Sequence, residues 1–138
     1  MPSNYNIYTI GEYGRVPFDQ EAIKNEIYAN GPVACSINAN PIVNLTKNYG
    51  VFGSDDPADH DHTISIVGWG EEDDSTPYWI LRNSWGEYWA DEGFAKIFRG
   101  NNTIRIEEYC IYAKPLDTWS GQIYPHTKRI ENLPKWNP

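Results

Sequence analysis

Asp61-His62-Thr63-Ile64-Ser65-Ile66-Val67-Gly68-Trp69-Gly70 and Tyr78-Trp79-Ile80-Leu81-Arg82-Asn83-Ser84-Trp85-Gly86 are the two stretches from which the fold is read. Each is a short apolar run rich in β-branched and aromatic residues, the composition of a strand. Between them, Glu71-Glu72-Asp73-Asp74-Ser75-Thr76-Pro77 is polar and closes on a proline, as a hairpin turn does. The first run starts on a histidine, and the second ends on an asparagine followed closely by tryptophan. A lone histidine in such a place is ordinarily a core residue satisfied by a hydrogen bond. A histidine and an asparagine at strand ends, each inside a dense motif, raise a second reading, half of a catalytic site, beside that of a well-packed core.

Working outward, Gly86 and Gly93 punctuate a loop that holds Trp85 and Trp89, and residues 94–99 read as the next strand. Gly100-Asn101-Asn102 turns the chain, and residues 104–113 hold a short piece and a final strand through Cys110. On the other side, residues 5–16 alternate into a strand that ends at glycines. Pro17-Phe18-Asp19 opens a helix with Asp19 as N-cap and Glu21 in its first turn; Ile23 and Ile27 share its apolar face, and Gly31-Pro32 stop it. Val33, Cys35, Ile37 and Ala39 alternate with Ala34, Ser36 and Asn38, a strand with one buried face that carries Cys35. Residues 40–61 form a long connection with Asp55, Asp56, Asp59 and Asp61. One helix followed by five or six short strands at hairpin spacing predicts an α+β fold, an antiparallel barrel-like sheet with one main helix.

The chain of 138 residues has the length of one domain, and 40% hydrophobic with 14% aromatic residues is the composition of a folded one. A net charge of −8 argues against a nucleic-acid partner, which needs a basic face. No apolar run approaches the roughly 20 residues that a membrane-spanning helix requires. Met1 is not followed by a basic and then apolar leader, so the chain reads either as a complete cytosolic product or as a fragment whose targeting segment lies elsewhere. Two sequons, Asn44-Leu45-Thr46 and Asn101-Asn102-Thr103, are candidate glycosylation sites in a secretory route. Two cysteines, Cys35 and Cys110, are too few for a metal site; on residue count they read equally as buried thiols or as a pair. From Pro115 onward isolated aromatics alternate with prolines, and residues 116–138 read as an extended arm beyond a domain of residues 1–115. Residues 114–138 carry four basic and two acidic side chains, which leaves the remainder near −10.

The histidine and asparagine motifs resemble those of papain-like cysteine peptidases. Tyr8-Thr9-Ile10-Gly11-Glu12-Tyr13-Gly14, Glu26-Ile27-Tyr28-Ala29-Asn30-Gly31-Pro32-Val33-Ala34-Cys35-Ser36-Ile37 and Ile106-Glu107-Glu108-Tyr109-Cys110 resemble the cathepsin X (also called cathepsin Z) type within that family. The resemblance covers roughly residues 4–115 and implies the C-terminal, β-rich half of such a peptidase, its papain-like right-hand domain. It implies that His62 is the general base, that Asn83 orients the imidazole, that Trp85 shields their hydrogen bond and that Trp89 is an aromatic on the primed side of the cleft. It also implies a Cys35–Cys110 disulfide and a lysosomal or secretory location. Asp61 is the acid expected to lie close to the base. The runs at 55–61 and 71–74 read mainly as solvated loops.

The chain departs from the family pattern in several places. The nucleophile region, a glutamine followed by Cys-x-x-Cys-Trp at the start of a helix, has no counterpart here. Cys35, on the buried face of a strand and away from any helix N-terminus, is a poor substitute. Ala90 stands where a glycine is usual, and Tyr49 replaces the first of two expected glycines. Two functions follow as expectations. One is half of a carboxypeptidase-type enzyme, inactive alone, that needs the missing N-terminal half before it takes a peptide substrate. The other is a non-catalytic half-domain that docks another subunit against the His62 face. Neither implies a cofactor or a metal.

Overall fold

The computed structural model describes residues 10–115. Residues 13–113 form a compact unit of their own. The extended arm expected at 116–138 lies outside the described residues, as does the stretch 5–9 of the first expected strand.

The two defining runs pair as expected. β4 (His62–Glu71) and β5 (Pro77–Arg82) form an antiparallel hairpin with Trp69 opposite Trp79 and Ser65 opposite Arg82. A bulge between Ile66 and Gly68 shifts the register, so one residue of β4 has no partner on β5. β2 (Val33–Ile37) lies on the other side of β4, with Ile37 opposite His62. Its alternation is realised: Val33, Cys35 and Ile37 are buried and Ala34 and Ser36 are half-buried. β6 (Phe94–Phe98) extends the sheet from β5.

Between β1 (Ile10–Val16) and β2 runs α1 (Gln20–Asn30). Asp19 sits in extended conformation and accepts from the amides of Glu21 and Ala22, the capping that releases the first turn from water. Ile23 and Ile27 are its buried residues, and Gly31 at φ 98° closes it.

The sheet order is β1-β7-β2-β4-β5-β6-β3, with β7 at Cys110–Pro115 and β3 at Val51–Phe52. This is an α+β fold, and its mostly antiparallel sheet is open where a barrel-like closure was expected. The β3–β6 pair is parallel. β3 was not visible in the sequence because two residues are too few to show a period. The rest of the long connection holds a 3-10 turn at Asn40–Ile42 and an irregular loop at residues 53–61.

The core includes Trp79, Leu81, Ile37, Ile66 and Ile97. Two charged side chains are buried with it, Glu107 and Arg99. The Glu107 carboxylate accepts from the Trp79 indole at 2.8 Å and from the Gly100 amide at 2.7 Å, which satisfies a charge that burial would otherwise penalise.

Candidate functional site

An antiparallel hairpin brings the first residue of one strand beside the residue that follows the other. His62 opens β4 and Asn83 follows the last residue of β5, so the fold itself places them together. His62 Nε2 lies 2.8 Å from Asn83 Oδ1.

The hydrogen bonding decides which ring nitrogen carries the proton. Asn83 Oδ1 also accepts from the Ser84 backbone N–H at 2.8 Å. A backbone amide only donates, so the atom it meets is the amide oxygen, and an oxygen there only accepts. His62 Nε2 must therefore be the protonated nitrogen, and in the neutral ring Nδ1 is left with the lone pair. Asn83 is held in turn by its own N–H, which donates to the Gly93 carbonyl at 2.9 Å. Asn83 is half-buried, and its Nδ2 is buried without a hydrogen-bond partner among the described residues.

Trp85 stacks on the imidazole, with ring centroids 4.8 Å apart and planes 22° off parallel. A ring in that position covers one face of the imidazole. Trp89 stands edge-on to Trp85 at 5.5 Å. It is only 7% exposed and its indole donates to the Ile42 carbonyl at 3.0 Å. The expected cleft aromatic is thus a buried buttress behind Trp85, because its N–H is anchored in the 3-10 turn after β2.

Asp61, next to His62 in the chain, is tied to the end of β2. Its carboxylate accepts from the Ala39 amide at 2.8 Å and from Asn40 Nδ2 at 3.2 Å, while its own N–H donates to Ile37 at 2.9 Å. Both oxygens are engaged by the β2 end of the sheet, so Asp61 fixes the backbone that enters His62. Ser84 and Gly93, whose main chains clamp Asn83, were missed in the sequence, since a main-chain contact leaves no mark on residue type.

Cys35 and Cys110 face each other in the β2–β7 register and are joined in a disulfide that spans 75 residues. They are the chain's only two cysteines, so the 138 residues hold no free thiol. Asn44 and Asn101 are both exposed; Asn101 Nδ2 donates to Asp55 at 3.3 Å, and its sequon's Thr103 is buried. A groove of about 690 Å³ lies elsewhere, between β3, β5, β6 and the acidic turn, lined by Tyr49, Tyr78, Ile80, Phe94 and Lys96. Neither His62 nor Asn83 reaches it, so the site is defined by its hydrogen bonds and not by that groove. Among the described residues, no group of three or more acidic, histidine or cysteine side chains is placed to hold a metal, and no helix is long and apolar enough to cross a membrane.

Known proteins share both sequence and fold with this chain. The profile of the papain family cysteine protease matches residues 2–114. Cathepsin Z of Onchocerca volvulus is 38% identical over 121 residues, which cover 82% of this chain and 39% of that protein. Cathepsin W of Mus musculus is 31% identical over 120 residues, covering 72% of this chain and 32% of that protein. The chain therefore spans about two fifths or less of these relatives. The structure of the bromelain protease of Ananas comosus superposes with a TM-score of 0.69 at 23% identity, covering 76% of this chain and 50% of that one, a likeness of fold.

Proposed function

The chain belongs to the papain family of cysteine proteases, and we propose that it is the base-bearing, β-rich half of a cathepsin Z-like carboxypeptidase, inactive until a cysteine-bearing half is set against it. One observation carries this reading: the 2.8 Å contact between His62 Nε2 and Asn83 Oδ1, with the oxygen fixed by the Ser84 amide. That arrangement turns Nδ1 into the basic nitrogen and aims it away from Asn83.

In such an enzyme a cysteine from outside these residues would lie at Nδ1. His62 takes the thiol proton, and the resulting imidazolium faces the thiolate. The thiolate sulfur attacks the scissile carbonyl carbon. As the tetrahedral species collapses, His62 Nδ1 gives its proton to the departing amine and the acyl group stays on sulfur. Water then attacks the acyl carbon while His62 accepts its proton, and the thiolate is released. Throughout, Asn83 Oδ1 holds Nε2–H and fixes the ring plane, the orienting role of a triad's third member. Trp85 covers the bond from above. The oxyanion donor, a glutamine in the family pattern, would come with the cysteine.

The disulfide favours an oxidising compartment, so we place the chain in a secretory or lysosomal route. The two candidate sequons, Asn44 and Asn101, fit that route.

A second reading rests on the absence of any free thiol in the 138 residues. Under it the chain is a non-catalytic subunit whose His62 face docks an unrelated protein. The purified chain, assayed on a peptide with a free C-terminal carboxylate, tests the first reading's central requirement. No hydrolysis is expected, with or without a thiol-directed covalent inhibitor. Turnover by the chain alone would refute it. Cross-linking through the His62 face separates the two readings: a partner that brings a cysteine to Nδ1 supports the enzyme, and one that brings none supports the subunit.

A further inference from the structure

Residues 53–61 reach His62 without regular structure, yet they are fastened along their length to residues 101–109. Asn101 Nδ2 donates to Asp55 Oδ1 at 3.3 Å, and Arg105 Nη1 pairs with Asp59 Oδ1 at 2.9 Å. The third contact is incomplete. His60 Nε2 lies 3.7 Å from Glu108 Oε2, too far for a hydrogen bond. The same nitrogen is buried with no hydrogen-bond partner among the described residues, and the ring stands edge-on to Tyr109 at 4.9 Å. A buried polar atom left unpaired is costly, so its pairing is worth seeking.

The acceptor is already in place. Glu108 receives Arg105 Nη2 at 2.8 Å, Arg105 Nε at 3.1 Å and Asn102 Nδ2 at 2.7 Å. The Arg105 guanidinium holds its carboxyl below the usual glutamate range. Glu108 is therefore an anion throughout the interval in which histidines change charge.

We propose that His60 is an acid-operated latch: protonation puts a hydrogen on both ring nitrogens and a positive charge on the ring, so that Nε2–H is drawn to the Glu108 anion, and this closes the third fastening of residues 53–61. The other charged groups around the ring divide in sign. Asp59, next in sequence, and Glu108 favour the imidazolium. Arg105, bonded to the same carboxylate, opposes it, as does Arg15, whose guanidinium sits 4.3 Å from the Tyr109 ring centre. Of these, Glu108 is the one with a charged atom facing Nε2 at 3.7 Å. Closing the latch steadies the Asp61–Ile37 and Ala39–Asp61 bonds, and through them the start of β4. The latch is independent of the peptidase reading and would exist if His62 were not a base.

Amide hydrogen exchange of the full chain, read by NMR and corrected for the intrinsic pH dependence of exchange, tests it. Between pH 7.5 and pH 5.0 the protection of the Asp61 and Ala39 amides is expected to rise about 3- to 10-fold, following the titration of the His60 ring. In His60→Gln, and independently in Glu108→Gln, the rise is expected to vanish. Equal protection at both pH values in the wild type overturns the proposal, as does a rise that survives in His60→Gln. Should both variants fail to fold, the wild type alone still decides: a rise that follows the ring titration of His62 or His126 instead of His60 contradicts the latch.

Discussion

At Asn83 a single side-chain oxygen does two tasks, accepting from its neighbour's amide and facing the imidazole. Asn83→Ala is expected to remove the preference for Nε2–H on His62, visible as mixed tautomers in the ring ¹⁵N spectrum of the chain itself. In a reconstituted enzyme the same change is expected to lower kcat/KM by about 10²-fold or more, the usual scale of a general-base contribution. Retention of the pure Nε2–H tautomer would show that Asn83 does not set it. Ala90 offers a stability test at the same scale. It adopts φ 48°, a left-handed conformation that costs a residue with a Cβ about 1–2 kcal/mol. Ala90→Gly relieves this but frees the unfolded chain, so a net gain of up to about 1 kcal/mol is expected in urea unfolding. The sequence made Ala90 visible as a departure from the family's glycine, and the structure gives the departure a physical cost. Trp89 and Asp61 were legible as site neighbours but not in role, because what an indole N–H or a carboxylate bonds depends on main chain brought from the distant 37–42 segment.

Among the elements, the β4–β5 hairpin and α1 were readable because each repeats its signal several times, as alternation in one and as capping with paired isoleucines in the other. The turn at residues 102–105 was not. Asn102, Ile104 and Arg105 all take positive φ, and a β-branched residue such as Ile104, at φ 51°, is the last that local preference would put there. Tertiary contacts hold it: Ile104 is buried, its carbonyl accepts from the Asn38 amide at 2.9 Å, and Glu108 is bound from both Asn102 and Arg105. This predicts a pH dependence. Arg105, then Asn102, lower the Glu108 carboxyl below the ordinary value of 4.5, so the folded state binds its proton more weakly than the unfolded chain. The stabilisation is complete above that value and is lost as pH falls through it towards the lowered folded one. Glu108→Gln is expected to cost about 1–2 kcal/mol at pH 7 and much less at pH 3, measured by urea midpoints. An equal cost at both pH values would remove the ion pair from the account.

Over the whole molecule, the Cys35–Cys110 bridge is the covalent tie, closing a loop from the middle of β2 to the start of β7 that holds β3 through β6 with His62 and Asn83. A crosslink of 75 residues limits the unfolded chain, worth on the order of 4 kcal/mol. Replacing both cysteines with alanine is expected to cost about 2–5 kcal/mol in denaturant unfolding, and a cost near zero would mean that the sheet alone holds β7. Composition left the pairing open, since two cysteines on two apolar strands look alike whether bridged or free, and only the register set them opposite each other. The open sheet was likewise hidden, because the order of strands is fixed by long-range pairing and not by any local period. On the proposed reading, the chain supplies a base, its orienting amide and their aromatic cover, and the thiol to be activated comes from outside its 138 residues. The most direct measurement is peptide hydrolysis by this chain co-folded with the cysteine-bearing half of a cathepsin Z relative. The proposed function predicts no turnover from either half alone, turnover from the pair, and its loss on His62→Ala. Turnover by the chain alone, or by the pair with His62→Ala undiminished, would contradict it.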